Sequence, residues 1–168
     1  MSRFLFPALF AVLLLASIAP SDAYAQPRIG VHTGLNFEGT DLMFGAQAQF
    51  GVDVGDRQAM GQVGFEIYPL IKDIFISRLN GNVLFNLLST AGSEIYGGGG
   101  LMIQLSRFDL PEGSNLDETD TDFGINLVAG LVLSGSDRRY RPFLEINQTI
   151  GGGTDFAARV GVMLKLTK

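Results

Sequence analysis

The stretch from residue 42 to residue 54 alternates between two kinds of side chain over thirteen positions. The even positions are all apolar: Leu42, Phe44, Ala46, Ala48, Phe50, Val52 and Val54. The odd positions are mostly small or polar, and because side chains alternate across a β-strand with a period of two, the pattern predicts a strand with one apolar face. Thirteen residues exceed the usual ~5–6 of a soluble strand and slightly exceed the ~9–11 with which a tilted strand crosses a bilayer.

The same alternation recurs in seven further segments that are separated mostly by short Gly-, Asp- and Ser-containing stretches. The eight predicted strands are 28–37, 42–54, 61–68, 75–87, 94–107, 122–133, 140–150 and 155–166. Four apolar residues break the alternation by lying on the polar side: Ile76, Leu84, Val128 and Val132. Eight strands joined by hairpins form an antiparallel meander, which closes into an up-and-down barrel and so removes its exposed edges.

The composition indicates that the predicted barrel contacts a membrane. The chain has 168 residues, enough for one domain, with 46 % hydrophobic residues and a mean hydropathy of +0.26. Charged residues make up 17 % against the ~25 % typical of soluble domains. After the N-terminus no run of about 18 apolar residues could form a membrane helix, so any contact with lipid must be made by strands.

The N-terminus has the features of a signal peptide. Arg3 supplies the positive charge, residues 4–19 form the apolar region, and Ala23-Tyr24-Ala25 is an A-x-A cleavage site. We therefore expect a signal peptide at 1–25 and one barrel domain at 26–168. The chain has no cysteine, which excludes lipoprotein attachment and disulfides, and its formal charge of −5 argues against a nucleic-acid partner.

The composition of the polar face indicates that this face lines the interior of the barrel. It is mostly Gly, Asn and Gln, whereas a face bathed in water should be rich in Lys and Glu. Its few charges balance, which suits ion pairs enclosed in a narrow lumen, because charges out of water persist when they are paired. The predicted lumen ion-pair network comprises Arg28, Asp53, Glu66, Arg78, Glu94, Glu145, Arg159 and Lys165. The alternative is a soluble lipocalin-like barrel with its apolar face turned inward around a ligand.

Aromatic residues on the apolar face cluster near the strand ends. They predict two lipid-facing girdles, formed by Phe37, Phe44, Phe75, Phe123 and Phe156 at the outer ends and by Phe85 and Tyr140 at the inner ends. The same topology sorts the charged loop residues. The predicted outer rim carries Glu38, Asp41, Asp73, Asp109, Glu112, Asp117, Glu118, Asp120, Asp122 and Asp155, and the inner rim carries Arg57, Arg138, Arg139 and Lys168. We therefore expect an acidic outer surface.

With these features the chain resembles the outer-membrane protein β-barrel domain family, the small eight-stranded barrels of Gram-negative bacteria. The resemblance implies a transmembrane β-barrel in the cell outer membrane with lipid as its surroundings. Family members usually end with an assembly signal, and residues 159–166 match it through Arg159, Gly161, Leu164 and Leu166. By this resemblance the barrel-assembly machinery would be a partner, although Thr167 and Lys168 follow where the family often ends on an aromatic residue.

Three features that could be taken for functional sites are better explained by structural roles. His32 is the only histidine, so a metal cluster of histidines is excluded and a hydrogen-bonded interior imidazole is favoured over a catalytic one. The acidic segment 115–122 offers oxygen ligands for Ca²⁺ but lacks the Gly and distal Glu of an EF-hand, which favours a solvated loop. The glycines at 97–100 lack the Lys and Ser/Thr of a phosphate loop and more simply leave room for large interior side chains.

The sequence therefore predicts a non-enzymatic outer-membrane barrel without cofactor or metal. Its role would be structural or surface interaction, its lumen would be closed by side chains, and its acidic extracellular loop 108–121 would contact an extracellular partner. Eight strands leave an interior only just wide enough for side chains, which argues against a general porin. A narrow conduit for ions or small solutes is the first alternative, because many interior positions are Gly, and a periplasmic lipocalin-like binding barrel is the second.

Overall fold

A computed structural model describes residues 27–69, 74–90, 92–108, 119–133, 139–151 and 155–166 of the chain. These residues form eight strands: β1 (Arg28–Asn36), β2 (Asp41–Val54), β3 (Arg57–Tyr68), β4 (Ile74–Ser89), β5 (Ser93–Phe108), β6 (Thr119–Leu133), β7 (Tyr140–Ile150) and β8 (Asp155–Lys165). No helix in this described part of the chain is long and apolar enough to cross a membrane. The expected signal peptide, residues 1–25, lies outside the described residues.

Every strand pairs antiparallel with its neighbours in sequence, and β1 pairs with β8 to close the barrel. The predicted all-β, eight-stranded, up-and-down architecture is therefore confirmed. The hairpin turn between β2 and β3 is short. Val54 pairs with Arg57 across a two-residue turn in which Gly55 has a φ of 60°, a left-handed conformation that glycine adopts without steric cost.

The strands are longer than predicted at several ends. β3 begins at Arg57 rather than residue 61, and β6 begins at Thr119 rather than residue 122, so part of the predicted 108–121 loop is strand. β4 contains a bulge at which the register shifts between Asn86 and Leu88, so that Leu87 is the extra residue. Polar residues at strand ends hid these extensions, because the hydrogen bonds of a ladder do not require apolar side chains.

The apolar face of the barrel points outward. β7 alternates strictly between exposed and buried residues, with Leu144 and Ile146 exposed and Glu145 buried between them. Exposed large apolar side chains occur on most strands and include Val31 (67 % exposed), Leu101 (70 %) and Phe123 (67 %). The lipocalin-like alternative required the opposite arrangement and is wrong. A closed barrel with an apolar outer surface is suited to lipid, where every backbone group must be paired within the protein.

Candidate functional site in the barrel lumen

The lumen is filled by side chains that form successive layers along the barrel. The ionic layer consists of Glu66, Glu145 and Arg159. Between it and the inner strand ends lies the inner apolar cluster, formed by Met60, Leu84, Tyr96, Val128, Val132, Phe143 and Met163. The inner mouth carries Arg28, Glu94 and Arg141, and the outer mouth carries Arg78, Asp155 and Asn36.

The ionic layer is organised around the guanidinium of Arg159. This group lies 2.6 Å from Oε1 of Glu66 and 2.7 Å from Oε1 of Glu145, and all three side chains are buried. Glu145 is the register partner of Arg159 on β7, which explains that contact, whereas Glu66 reaches it across the lumen from β3. The second oxygen of Glu145 accepts hydrogen bonds from Gln62 Nε2 at 2.9 Å and from the Tyr96 hydroxyl at 2.8 Å. The buried charges are thus paired and hydrogen-bonded, the condition under which they persist away from water.

His32 lies beside this layer as a buried side chain. Its Nε2 is 3.4 Å from Oε1 of Glu66, and its ring meets Phe143 edge-on with 6.2 Å between centroids. Gly45 makes room for the imidazole, since a Cβ at this position would overlap it, and a Cβ at Gly161 would overlap the Phe143 ring and the Cβ of His32. The chemistry available to His32 in this packed setting is that of an interior imidazole next to a carboxylate.

An amide network adjoins the ionic layer. Oε1 of Gln62 accepts a hydrogen bond from Nδ2 of Asn82 at 2.7 Å, and Nδ2 of Asn126 donates to Oδ1 of Asn80 at 2.9 Å. The hydroxyl of Thr149 donates to Asn126 at 3.1 Å. These side chains are all buried, and their mutual hydrogen bonds tie β3, β4, β6 and β7 together across the lumen.

The outer mouth pairs Arg78 with Asp155. Asp155 also accepts a hydrogen bond from Asn36, while Nε of Arg78 donates to Gln104 at 2.6 Å. The Arg78 guanidinium lies 4.9 Å from the centroid of the Tyr68 ring, within the range of a cation–π contact. Asp155 lies at the outer end of the barrel, as predicted, but it does not add to the solvated charge of the rim. Asp155 is the first residue of β8 and its side chain is buried in the lumen.

The inner mouth holds two arginines on one carboxylate. Arg28 is 3.0 Å and Arg141 is 2.5 Å from opposite oxygens of Glu94, which retains slight solvent exposure. Arg141 was missed by the sequence analysis. The signal was available, because Arg141 shares its parity on β7 with buried Glu145.

The inner apolar cluster was not predicted either. Three of its members, Leu84, Val128 and Val132, are residues that broke the alternation, and the structure shows that they face the lumen. The fourth exception, Ile76, packs against a smaller cluster of Met43, Tyr68 and Ala157 near the outer mouth. Apolar residues on a polar face therefore marked apolar layers inside the barrel.

Two predicted members of the ion-pair network lie outside it. Asp53 is exposed near the end of β2, and Lys165 is half-exposed at the end of β8. Neither takes part in an ion pair within the described ranges. Their parity matches that of the lumen-facing residues, but at a strand end the side chain reaches water, which removes the need for a partner. The other six, Arg28, Glu66, Arg78, Glu94, Glu145 and Arg159, all form lumen ion pairs.

Several buried polar atoms in the lumen have no hydrogen-bond partner within the protein. They concentrate on β1 to β3, in a polar seam formed by Arg28, Gln49, Gln47, His32 and Glu66. These residues follow one another through the register, since Arg28 is opposite Gln49 and both His32 and Glu66 are opposite Gly45. Buried polar groups are usually satisfied, so these atoms are polar partners that ordered water could bond.

The aromatic residues predicted as lipid-facing girdles are on the outer surface. Phe37, Phe44, Phe75, Phe123, Tyr140 and Phe156 are exposed, and Phe85 is half-exposed. Phe37 and Phe156 pack together with 5.6 Å between ring centroids, where β1 and β8 meet. Aromatic rings at these positions suit the interfaces of a bilayer.

The assembly-signal residues form most of β8. Gly161 lies opposite His32 on β1, Leu164 lies opposite Ile29, and Arg159 points into the ionic layer. Recognition by the assembly machinery remains a prediction. The structure adds that Arg159 has an independent role in the lumen.

Of the acidic segment 115–122, for which a solvated loop was favoured over a calcium site, residues 115–118 lie outside the described residues, and residues 119–122 are the start of β6. Within the described ranges, no group of three or more His, Cys, Asp or Glu side chains could hold a metal ion.

The fold and lumen together are those of a transmembrane β-barrel: an apolar outer surface, a polar and ion-paired interior, and eight antiparallel strands. A scan of protein-family models found no match to the chain, and a search of curated proteins also found none.

Solved structures with the same fold include small outer-membrane barrels. The N-terminal β-barrel domain of OprF from Pseudomonas aeruginosa is 14 % identical, with a TM-score of 0.66 over 86 % of this chain and 100 % of that one. Ail, the attachment invasion locus protein of Yersinia pestis, is 10 % identical, with a TM-score of 0.60 over 83 % of this chain and 95 % of Ail. Neisserial surface protein A is 14 % identical, with a TM-score of 0.52 over 84 % and 95 %. The chain therefore has the fold of small eight-stranded outer-membrane barrels.

Proposed function

We propose that this protein is a non-enzymatic barrel of the bacterial outer membrane with a closed lumen. Its acidic outer segment, residues 108–121, contacts partners at the cell surface. The observation that carries the proposal is the sequence of packed layers along the lumen. A barrel whose interior is occupied by paired charges and apolar side chains is a scaffold for its outer end rather than a passage.

The interior glycines support a closed lumen. A Cβ at Gly130 would overlap the ring of Tyr96, and a Cβ at Gly34 would overlap the end of Met43. These glycines therefore provide hollows that large side chains from other strands occupy. The conduit alternative took the same glycines as free space.

The charge of the outer end supports a contact role. Asp109, Glu112, Asp117 and Glu118 lie in the segment between β5 and β6, and Asp120 and Asp122 follow on β6. Two proteins that share the fold are described as an attachment invasion protein and a surface protein. A cluster of carboxylates favours partners that carry positive charge.

A membrane-fraction experiment tests the first part of the proposal. The mature protein should be recovered from outer membranes and should change its gel mobility on boiling, because a lipid-embedded barrel resists detergent until it is heated. Soluble recovery without a mobility shift would contradict the membrane assignment.

Planar bilayers test the closed lumen. The purified barrel should show no steady conductance, whereas stable open-channel currents would contradict closure. The narrow conduit is the second candidate because the polar seam holds several buried polar atoms without a protein partner, which water could bond. Glu66→Gln and Arg78→Gln should destabilise the barrel if the lumen is a plug, and should instead alter the current or its selectivity if it is a conduit.

The contact surface is tested by deleting residues 110–118, which leaves β5 and β6 intact. In nanodiscs the deletion variant should keep its heat-dependent mobility shift but lose binding to a fluorescent decalysine peptide. A variant with residues 134–138 replaced by Gly and Ser is the matched control, because it changes a loop at the opposite end. Unchanged peptide binding by the deletion variant would remove the segment from the proposal.

A further inference from the structure

Three cations lie side by side at the inner mouth of the barrel. Lys165 of β8 is directly opposite Arg28 of β1 in the register, and its backbone N–H donates to the carbonyl oxygen of Arg139 at 3.1 Å. Directly opposite residues of an antiparallel pair have side chains on the same face and Cα atoms roughly 4.5–5.5 Å apart. Arg139, Lys165 and Arg28 therefore form a row across the start of β7, the end of β8 and the start of β1.

This row has too little negative charge beside it. Like charges on directly opposite residues destabilise a sheet. Arg28 shares Glu94 with Arg141, whereas neither Arg139 nor Lys165 forms an ion pair in the ranges that the structure describes. We call Arg28, Arg139, Arg141 and Lys165 the inner cationic cluster. Its four cations and the one carboxylate leave three excess positive charges, which an anion would offset.

The two buried arginines keep donors that the protein does not use. Arg28 bonds Glu94 through Nη1 at 3.0 Å, and Arg141 does so through Nη2 at 2.5 Å. Nε of Arg28 is buried and has no hydrogen-bond partner. Because a guanidinium has five N–H donors in a planar fork, each arginine can bond a further oxyanion while it holds Glu94.

The inner cationic cluster is open to solvent on one side and closed on the other. Arg139 is exposed and Lys165 is half-exposed. Arg141 has Met163 as its register partner, and this methionine is a buried member of the inner apolar cluster. An anion from the inner side therefore reaches the cations but meets apolar packing at the level of Arg141.

The inner cationic cluster lies at the height of the inner aromatic girdle. Tyr140, which is 64 % exposed, directly follows Arg139 and is opposite Leu164, the residue before Lys165. Aromatic girdles mark the interface of a membrane, where basic residues meet anionic lipid head groups. Phosphate suits this set of donors, because arginine binds it through a planar fork and lysine binds it as a point charge.

We propose that the inner cationic cluster is a binding site for a phosphate group at the inner mouth. An anionic phospholipid and a free phosphate anion offer the same chemistry, and the experiment distinguishes them. The site lies at the end of the barrel opposite the proposed contact surface and does not depend on it.

The test uses the mature barrel in octyl glucoside micelles, whose head groups carry no phosphate. Inorganic phosphate is titrated by calorimetry, and dioleoylphosphatidylglycerol is titrated in parallel with bound lipid counted by native mass spectrometry. Lys165→Gln should weaken binding by about fivefold, the effect of one cation close to an anionic head group. Arg57→Gln is the matched control, because it removes the same charge at an exposed position of β3, three strands from β8, and should weaken binding by less than about twofold.

Glu94→Gln gives a change of opposite sign. It removes the carboxylate that competes with phosphate for Arg28 and Arg141, so phosphate binding should tighten by about fivefold. A substitution that merely damaged the inner mouth would weaken binding instead. Each variant is first checked for its heat-dependent gel mobility shift.

The two probes identify the source of the phosphate group. Tighter binding of the lipid than of inorganic phosphate identifies a lipid head group, and equal or weaker binding of the lipid identifies a free anion. The site is overturned if neither probe binds, if Lys165→Gln and Arg57→Gln weaken binding equally, or if Glu94→Gln weakens binding.

Discussion

The ionic layer and the inner apolar cluster occupy neighbouring stretches of the same lumen. The first holds the lumen closed by ion pairs, and the second does so by apolar packing. In the ionic layer, Arg159 is shared between Glu66 and Glu145, and loss of the guanidinium leaves two buried carboxylates without a counter-charge. In the cluster, Leu84 and its neighbours pack without any directional partner. Tyr96 belongs to both, because its ring lies in the cluster and its hydroxyl bonds Glu145.

The two regions therefore differ in the substitutions that they tolerate. Apolar packing degrades gradually as volume is removed, whereas a buried charge pair fails when one partner is lost. Four substitutions test the comparison. Each is measured as the free energy of unfolding by urea in phospholipid vesicles, with folded barrel quantified by gel mobility.

The largest effect is expected for Arg159→Gln. It leaves Glu66 and Glu145 buried without their cation, and the expected loss is about 3–5 kcal/mol. The triple variant Arg159→Gln, Glu66→Gln, Glu145→Gln removes every charge of the layer and should recover more than half of that loss. A single variant within about 1 kcal/mol of the wild type would show that the ionic layer does not hold the lumen.

Leu84→Ala tests the cluster and should cost about 2–4 kcal/mol, because it removes a fully buried side chain from a packed interior. Leu79→Ala is its control on the same strand, since Leu79 is 43 % exposed on the outer face. Equal losses for the two variants would mean that the cluster contributes no more than the lipid-facing surface does.

Tyr96→Phe tests the link between the two regions, because the Tyr96 side chain belongs to both. It keeps the ring in the cluster and removes the donor to Glu145, so we expect a loss of about 1–2 kcal/mol. Tyr140→Phe, at an exposed position on β7, should be close to neutral. If Tyr96→Phe is equally neutral, the cluster and the ionic layer are not coupled through this hydroxyl.

Arg28→Gln should have the smallest effect, about 1 kcal/mol, because Arg141 still pairs with Glu94 and the Glu94 carboxylate keeps slight solvent exposure. Its effect should shrink in high salt, whereas that of Arg159→Gln should persist. A loss as large as that of Arg159→Gln would show that the inner mouth is as shielded as the ionic layer.

Sequence alternation was sufficient to predict the eight strands and the outward direction of the apolar face, because both depend on the parity of residues along one strand. Contacts across the lumen depend on the register and tilt of several strands at once. Parity thus placed Glu66 and Arg159 inside but could not show that they meet, and it could not show that Asp53 and Lys165 lie too near the strand ends to need partners. Arg141 was overlooked because it lies beside Pro142 at the beginning of a strand, where charges resemble those of a turn.

The most informative residues were those that the pattern failed to explain. Ile76, Leu84, Val128 and Val132 are apolar where the alternation calls for polar or small side chains, and all four pack inside the barrel. In a narrow membrane barrel, such exceptions identify the layers where the lumen is closed by packing.

The two arginines that share Glu94 leave one excess positive charge at the inner mouth, while the outer end of the molecule is rich in carboxylates. The two ends of the barrel thus carry fixed charge of opposite sign, as in a bipolar ion-exchange membrane. A cation that approaches from the inner side first meets positive charge, and an anion that approaches from the outer side first meets negative charge. Should thermal motion briefly loosen the packing, this polarity would still oppose leakage of salt, because the ion that one end admits is the ion that the other end repels.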